Sequence, residues 1–164
     1  MTCAVARPSG AWAETGNGLS HNAEAIHQEV SFSSSPMRIY DAVTRAEQFQ
    51  KVVLLSVARS SVDVTSKPAE ISGEPGGIFV IFGGYISGRQ IELERNQRIV
   101  QAGHEREWAP GVYSIARFEL REAGTGTKLI FDHTGFPAGA GDHLATGWKI
   151  NYWEPLAKVL GEWA

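Results

Sequence analysis

The chain has 164 residues, 43% of them hydrophobic and 20% charged, with a net charge of −3, which fits one globular domain able to bury a core. No cluster of Lys or Arg occurs along it, so the basic footprint of a nucleic-acid binder is missing. The single cysteine, Cys3, excludes an internal disulfide and suits a reducing cytoplasm. No apolar run approaches the roughly 20 residues of a membrane helix. Neither nucleic acid nor a membrane is therefore expected as a partner.

Residues 1–22 are rich in Gly, Ser, Ala, Thr and Asn without periodicity. They are expected to form a flexible extension, with Trp12 its one anchor, ahead of a single domain over residues 23–164. Their early charge, Arg7, follows the short apolar run, and Pro8-Ser9-Gly10 comes at once, the reverse of a signal peptide's order. The β-branched and aromatic residues from Ile26 to Phe32 predict a strand. Ser33-Ser34-Ser35-Pro36 reads as a helix start, with a serine cap and proline at the first helical position. A short helix over Met37–Val43 follows. Thr44-Arg45-Ala46-Glu47 has capping-box spacing and predicts a second short helix, fading near Lys51 where the apolar run from Val52 to Leu55 begins.

From Val62 to Thr134 the text is strands and turns. Gly73-Glu74-Pro75-Gly76-Gly77 turns into a strand over Ile78–Phe82, and Gly83-Gly84 makes a tight turn into Ile86–Leu93. Further strands are expected over Arg98–Glu105, Val112–Arg121 and Thr127–Thr134. Their even spacing predicts an antiparallel meander. The last segment, about 142–162, repeats Leu144, Trp148, Tyr152, Leu156 and Val159 at helical spacing, with Pro155 expected to kink it. On an ideal helix Trp148 and Trp153 stand about 140° apart. Trp148 is therefore assigned to a cavity, and Trp153 to the short helices or a partner subunit. The fold class is α+β, with two short helices after the first strand and a one-sided sheet that must bury its face on the long C-terminal helix.

Several separated segments carry a resemblance. They are Phe82-Gly83-Gly84-Tyr85 through Leu93, Arg98-Ile99-Val100-Gln101, Glu107-Trp108-Ala109-Pro110-Gly111 and Gly126-Thr127-Lys128-Leu129. His133-Thr134-Gly135-Phe136-Pro137 and Gly147-Trp148 through Trp153 complete the set. In this order the chain resembles the family of homologues of the activator of heat-shock-protein ATPase. That resemblance implies the START-like, helix-grip fold of the SRPBCC superfamily, a curved antiparallel sheet wrapped around a long C-terminal helix. Such folds host carriers, cyclases, hydrolases and co-chaperone modules. The sequence departs from the family where Trp-Arg usually follows the Arg-Ile-Val-Gln segment; Gly103-His104 stands there instead. The family's eukaryotic co-chaperone also carries a separate N-terminal domain, for which residues 1–22 are no counterpart.

A curled sheet over a helix leaves room for a small molecule. Strand alternation turns Ser114, Ala116, Phe118 and Leu120 inward, and likewise Leu129, Phe131 and His133. The same rule assigns Arg89, Ile91 and Leu93 inward and Gln90 and Glu92 outward. The candidate cavity is lined by Phe79, Phe82, Arg89, Ile91, His104 and Ser114, with Phe118, Phe131 and His133 from the later strands. Leu144, Trp148 and Tyr152 come from the helix, and Trp108 is a lid or a surface anchor. His104 and His133 read either as groups that fix a ligand or move protons, or as hydrogen-bonded structural histidines.

No catalytic residue is assigned. His104, His133, Asp142 and His143 lack the spacing of a zinc site. Gly84-Tyr85-Ile86-Ser87-Gly88 is not a nucleophile elbow, and Gly73–Gly77 is not a phosphate loop. No metal or cofactor is therefore expected. The leading expectation is a binding domain for an apolar or aromatic small molecule. The alternatives are a cavity enzyme of the polyketide-cyclase type and a chaperone-linked interaction module, with a chaperone or a second copy of the chain as partner.

Overall fold

Seven strands form one antiparallel sheet in the order β1-β7-β6-β5-β4-β3-β2. They are β1 (Ala25–Phe32), β2 (Glu70–Ile71), β3 (Ile78–Ile81), β4 (Ile86–Glu94), β5 (Arg98–Glu105), β6 (Ser114–Ala123) and β7 (Gly126–Thr134). The structure, a computed structural model, describes residues 24–162. The expectations for residues 1–22, with Trp12, lie outside the described residues. β2 to β7 run as a meander, and β1 returns beside β7 in register from Ala25↔Thr134 to Phe32↔Thr127.

Between β1 and β2 lie the helices α1 (Pro36–Thr44), α2 (Ala46–Leu55) and α3 (Val62–Thr65), with a 3₁₀ turn at Val57–Ser60. α1 starts as its sequence predicts: Ser35 accepts from the Arg38 N–H and Pro36 opens the helix. Thr44, however, is the last residue of α1, and its hydroxyl donates to the Tyr40 carbonyl at 2.7 Å. Arg45 therefore caps α2, with no side-chain bond. α2 also runs past Lys51, because Val52 and Val53 are buried in the core. The β-branched penalty in a helix is a few tenths of a kcal/mol, whereas burying each valine gains about 1.5 kcal/mol or more. Burial decides.

β4 corrects the face assignment made from alternation. Gln90 pairs with Gln101 but Glu92 pairs with Val100, so Ile91 is an extra, bulged residue. A bulge reverses the phase of everything on one side of it. Leu93 does turn inward, but before the bulge the inward residues are Ile86, Gly88 and Gln90. Gln90 is 0% exposed, whereas Ile91 is 53% exposed. Arg89 is exposed and donates to the Gly76 carbonyl at 2.9 Å.

The C-terminal helical run is α4 (Gly141–Trp148), a π turn (Lys149–Trp153) and α5 (Glu154–Val159). The π turn ends two residues before Pro155, which has no N–H to bond the preceding turn. Its extra residue overturns the ideal-helix argument about the tryptophans. Residues five apart share a face in a π turn, and Trp148 and Trp153 stack at 5.7 Å with 20° between their planes. Trp153 thus packs on Phe131 at 5.1 Å and Phe118 at 6.1 Å and donates to Gln28 Oε1 at 2.7 Å. The core between sheet and helices centres on Phe49, Ile99, Phe118, Leu129, Phe131 and Leu156.

Candidate functional site

A cavity of about 210 Å³ separates the inner face of β3–β7 from α4 and the π turn. Its apolar walls are Phe79 and Phe82 at one side, Ile86 and Ala116 on the sheet, and Leu144, Trp148, Ile150 and Tyr152 from the helix. Phe82 has φ 50°, a left-handed conformation that a large side chain holds only when its surroundings impose it. Here Phe49 and Tyr152 pin its ring at 5.7 and 5.6 Å.

Most of the residues expected at the cavity are brought together. Phe79, Phe82, His104, Trp108, Ser114, His133, Leu144, Trp148 and Tyr152 all border it. Arg89 and Ile91 lie on the opposite face of the sheet because of the bulge. Phe118 and Phe131 face inward but do not reach the cavity: Trp148 covers them, its ring 5.8 and 4.2 Å from theirs. His104 alternates with Gly103 and Glu105 along β5. Its Nδ1 stands 2.7 Å from the Val112 carbonyl, and its ring meets Trp108 edge-on at 6.1 Å and Tyr113 at 5.5 Å. It braces the loop that carries Trp108 to the mouth.

Gln101, Gly103, Glu105, Tyr85, His143 and Asn151 also line the cavity; none is among the residues expected to line it, although Glu105 is expected beside it and the Gly103 departure bears on its size. Alternation from Ile99 along β5 would have found the first three. Gly103 matters for volume. A Cβ there would meet only the Phe79 ring edge, at 3.8 Å, so any larger side chain would project into the cavity. This is the position where the resembled family usually carries tryptophan.

The polar groups are few and individually held. Trp148 Nε1–H donates to His133 Nδ1 at 3.0 Å, and His133 Nε2 lies 2.7 Å from Ser114 Oγ. Burial lowers the His133 pKa to about 4, so its imidazole is neutral near pH 7. Glu105 is pushed above the usual carboxylate range, chiefly by burial, and Tyr85 O–H donates to it at 3.5 Å. Burial, then the neighbouring Glu105 and Glu107, push Tyr85 up to about 12. Among the described residues no group of three or more His, Cys, Asp or Glu could hold a metal ion.

A curved seven-stranded antiparallel sheet closed on a C-terminal helix is the helix-grip arrangement of START-like proteins. A family model described as "Activator of Hsp90 ATPase homolog 1-like protein" matches residues 33–161, and the chain belongs to that family. It is 26% identical over 136 residues to the mouse activator of 90 kDa heat shock protein ATPase homolog 2, covering 83% of this chain and 38% of the relative. The chain thus spans less than half the length of the curated relatives it matches. Among solved structures, an HSP90 activator from Plasmodium falciparum superposes with a TM-score of 0.72 at 23% identity, covering 84% of this chain and 96% of that one. The Aha1 dimer from Colwellia psychrerythraea gives 0.63 at 15% identity, with 83% and 96% covered.

Proposed function

We propose that this chain is a START-like binding domain whose cavity takes an apolar or aromatic small molecule. The observation that carries this reading is the open-mouthed cavity floored by Gly103 and walled by Phe79, Phe82, Leu144, Trp148 and Tyr152. A core selected only for stability fills such a space, because voids cost dispersion contacts. Proton-transfer chemistry between Ser114 and His133 has little support. An indole N–H only donates, so Trp148 holds Nδ1 of the imidazole as the acceptor. Nε2 then carries the proton and is unavailable as a base for the serine hydroxyl.

The test is the Gly103→Leu variant, which places a side chain in the cavity with only the Phe79 ring edge, at 3.8 Å, near its Cβ. With 2-isopropylnaphthalene as probe, the native protein, freed of any retained ligand, is expected to gain melting temperature and change tryptophan fluorescence. Gly103→Leu is expected to keep its circular dichroism and lose both responses. No response in the native protein, or an undiminished response in Gly103→Leu, would remove the cavity from the argument.

Family membership and the exposed Leu54 and Leu55 at the end of α2, with Val57 just beyond it, support a second reading, a docking face for a heat-shock chaperone or a second copy of the chain. It predicts that Leu54→Glu weakens stimulation of a chaperone ATPase, or shifts sedimentation toward monomer, without touching the cavity. Both readings suit a cytoplasmic protein. Among the described residues no helix is long and apolar enough to cross a membrane.

A further inference from the structure

We propose that the cavity selects an uncharged aromatic-sized ligand bearing an acceptor beside a donor, a carboxamide-type group, with Ser114 as the donor and Gln101 Oε1 as the acceptor. The inference rests on the cavity-binding reading and adds the chemistry of the ligand's polar end.

Two hydrogen-bond relays enter the cavity wall, each started by a group of fixed sense. The first begins at the Trp148 indole, which can only donate. His133 Nδ1 accepts that bond at 3.0 Å. A neutral imidazole accepting at Nδ1 carries its proton on Nε2, so His133 donates to Ser114 Oγ at 2.7 Å. Ser114 thereby spends an acceptor site and keeps its own hydroxyl hydrogen. Its hydroxyl has no other hydrogen-bond partner among the described residues, and Ser114 borders the cavity.

The second relay begins at the Ser72 carbonyl, which can only accept. Gln90, wholly buried, must turn its amide nitrogen to that oxygen, and does so at 3.2 Å. Its own Oε1 then takes the Gln101 amide nitrogen at 3.1 Å. The reverse orientation would set oxygen against oxygen. Gln101 borders the cavity, and its Oε1 takes part in no hydrogen bond among the described residues, so it is the acceptor left over. The sheet register puts the two ends side by side. Ser114 pairs with Gly103 and Ala116 with Gln101, so Ser114 and Gln101 are diagonal neighbours with Cα atoms about 7–8 Å apart. Only a glycine and an alanine stand beside them. One donor and one acceptor with no charge on either match a group that offers the complementary pair.

The experiment uses three probes of one size: naphthalene-2-carboxamide, 2-isopropylnaphthalene and the 2-naphthylmethylammonium ion. Ser114→Ala and Gln101→Met are each expected to weaken the carboxamide about fivefold. Each should leave the isopropyl compound within about twofold of native, which also shows that the variant is folded. In ¹⁵N spectra, His133 is expected to be protonated at Nε2 and bare at Nδ1. Equal weakening of both probes, a proton on Nδ1, or tighter binding of the ammonium ion than of the carboxamide would overturn the assignment; the last would move the polar contact to Glu105. Failure of the isopropyl compound to bind the native protein would instead bring down the cavity reading, and this inference with it.

Discussion

His133 sits 4% exposed between the Trp148 indole, the Ser114 hydroxyl and the Phe131 and Phe136 rings. Burial holds its pKa at about 4, against about 6.5 in an unfolded chain. Between those values the unfolded state binds a proton that the folded state refuses, so stability falls as pH drops from 6.5 toward 4 and levels off below. The full loss is on the order of 3 kcal/mol, since each unit is worth about 1.4 kcal/mol. His27 works in the opposite sense. Asp132 at 2.7 Å raises its pKa, so its exposed pair weakens as pH rises. Urea midpoints measured from pH 7 to 4 should decline more steeply for the native protein than for His133→Gln, which has no proton to gain. Parallel curves would mean that His133 is protonated in the fold or open to water.

Two strand glycines next to the site look alike in sequence and differ in what surrounds them. A Cβ on Gly88 would stand 2.0 Å from the Ala102 carbonyl and 2.6 Å from the Phe79 ring, whereas one on Gly103 meets Phe79 at 3.8 Å. Gly88→Ala should therefore cost about 1–3 kcal/mol of overpacking or more, and displace Phe79 from the cavity wall. Gly103→Ala should stay within about 1 kcal/mol of native, because alanine in a strand is no worse than glycine. Chemical denaturation of the pair decides it; similar losses would contradict the packing described. The end of α5 shows another glycine with a defined task. Gly161 has φ 76°, and its N–H reaches the Lys158 carbonyl while that of Glu162 reaches Ala157, each at 3.0 Å. This Schellman closure turns the Glu162 carboxylate back onto the Ser33 and Ser34 N–H groups at the start of α1.

The fold is closed by its first and last described elements. Trp153 donates to Gln28 Oε1 on β1, and Gln28 in turn donates to the Ala145 carbonyl of α4 at 3.0 Å. Glu24 accepts from the Gly139 and Gly141 N–H groups at 3.0 and 2.9 Å, where α4 begins. With Glu162 at the other end, β1 is tied to the C-terminal helix along its length. Sheet and helix should therefore unfold together. Trp153→Ala, which removes a ring stacked on Trp148 and packed on Phe118 and Phe131, should cost about 3–5 kcal/mol. Its far-UV and fluorescence transitions should still coincide. A helix signal lost before the strand signal would show that the grip is looser than these bonds imply.

The α+β class, the meander, the serine-capped α1 and the inward faces of β6 and β7 were legible in the sequence. Each depends on local periodicity or turn chemistry, and the order of motifs carried the resemblance to the family. Phe79, Ser114, His133, Leu144, Trp148 and Tyr152 could be placed at one cavity for the same reason. What the sequence could not decide were the departures from regular geometry. One bulged residue in β4 sends Arg89 and Ile91 outward and buries Gln90. One π turn before Pro155 stacks two tryptophans that an ideal helix would separate. Trp148 then screens Phe118 and Phe131 from the cavity they were expected to line. Each departure trades a local hydrogen bond or a helical preference against burial over residues distant in sequence, and that balance exists only once sheet and helix have met.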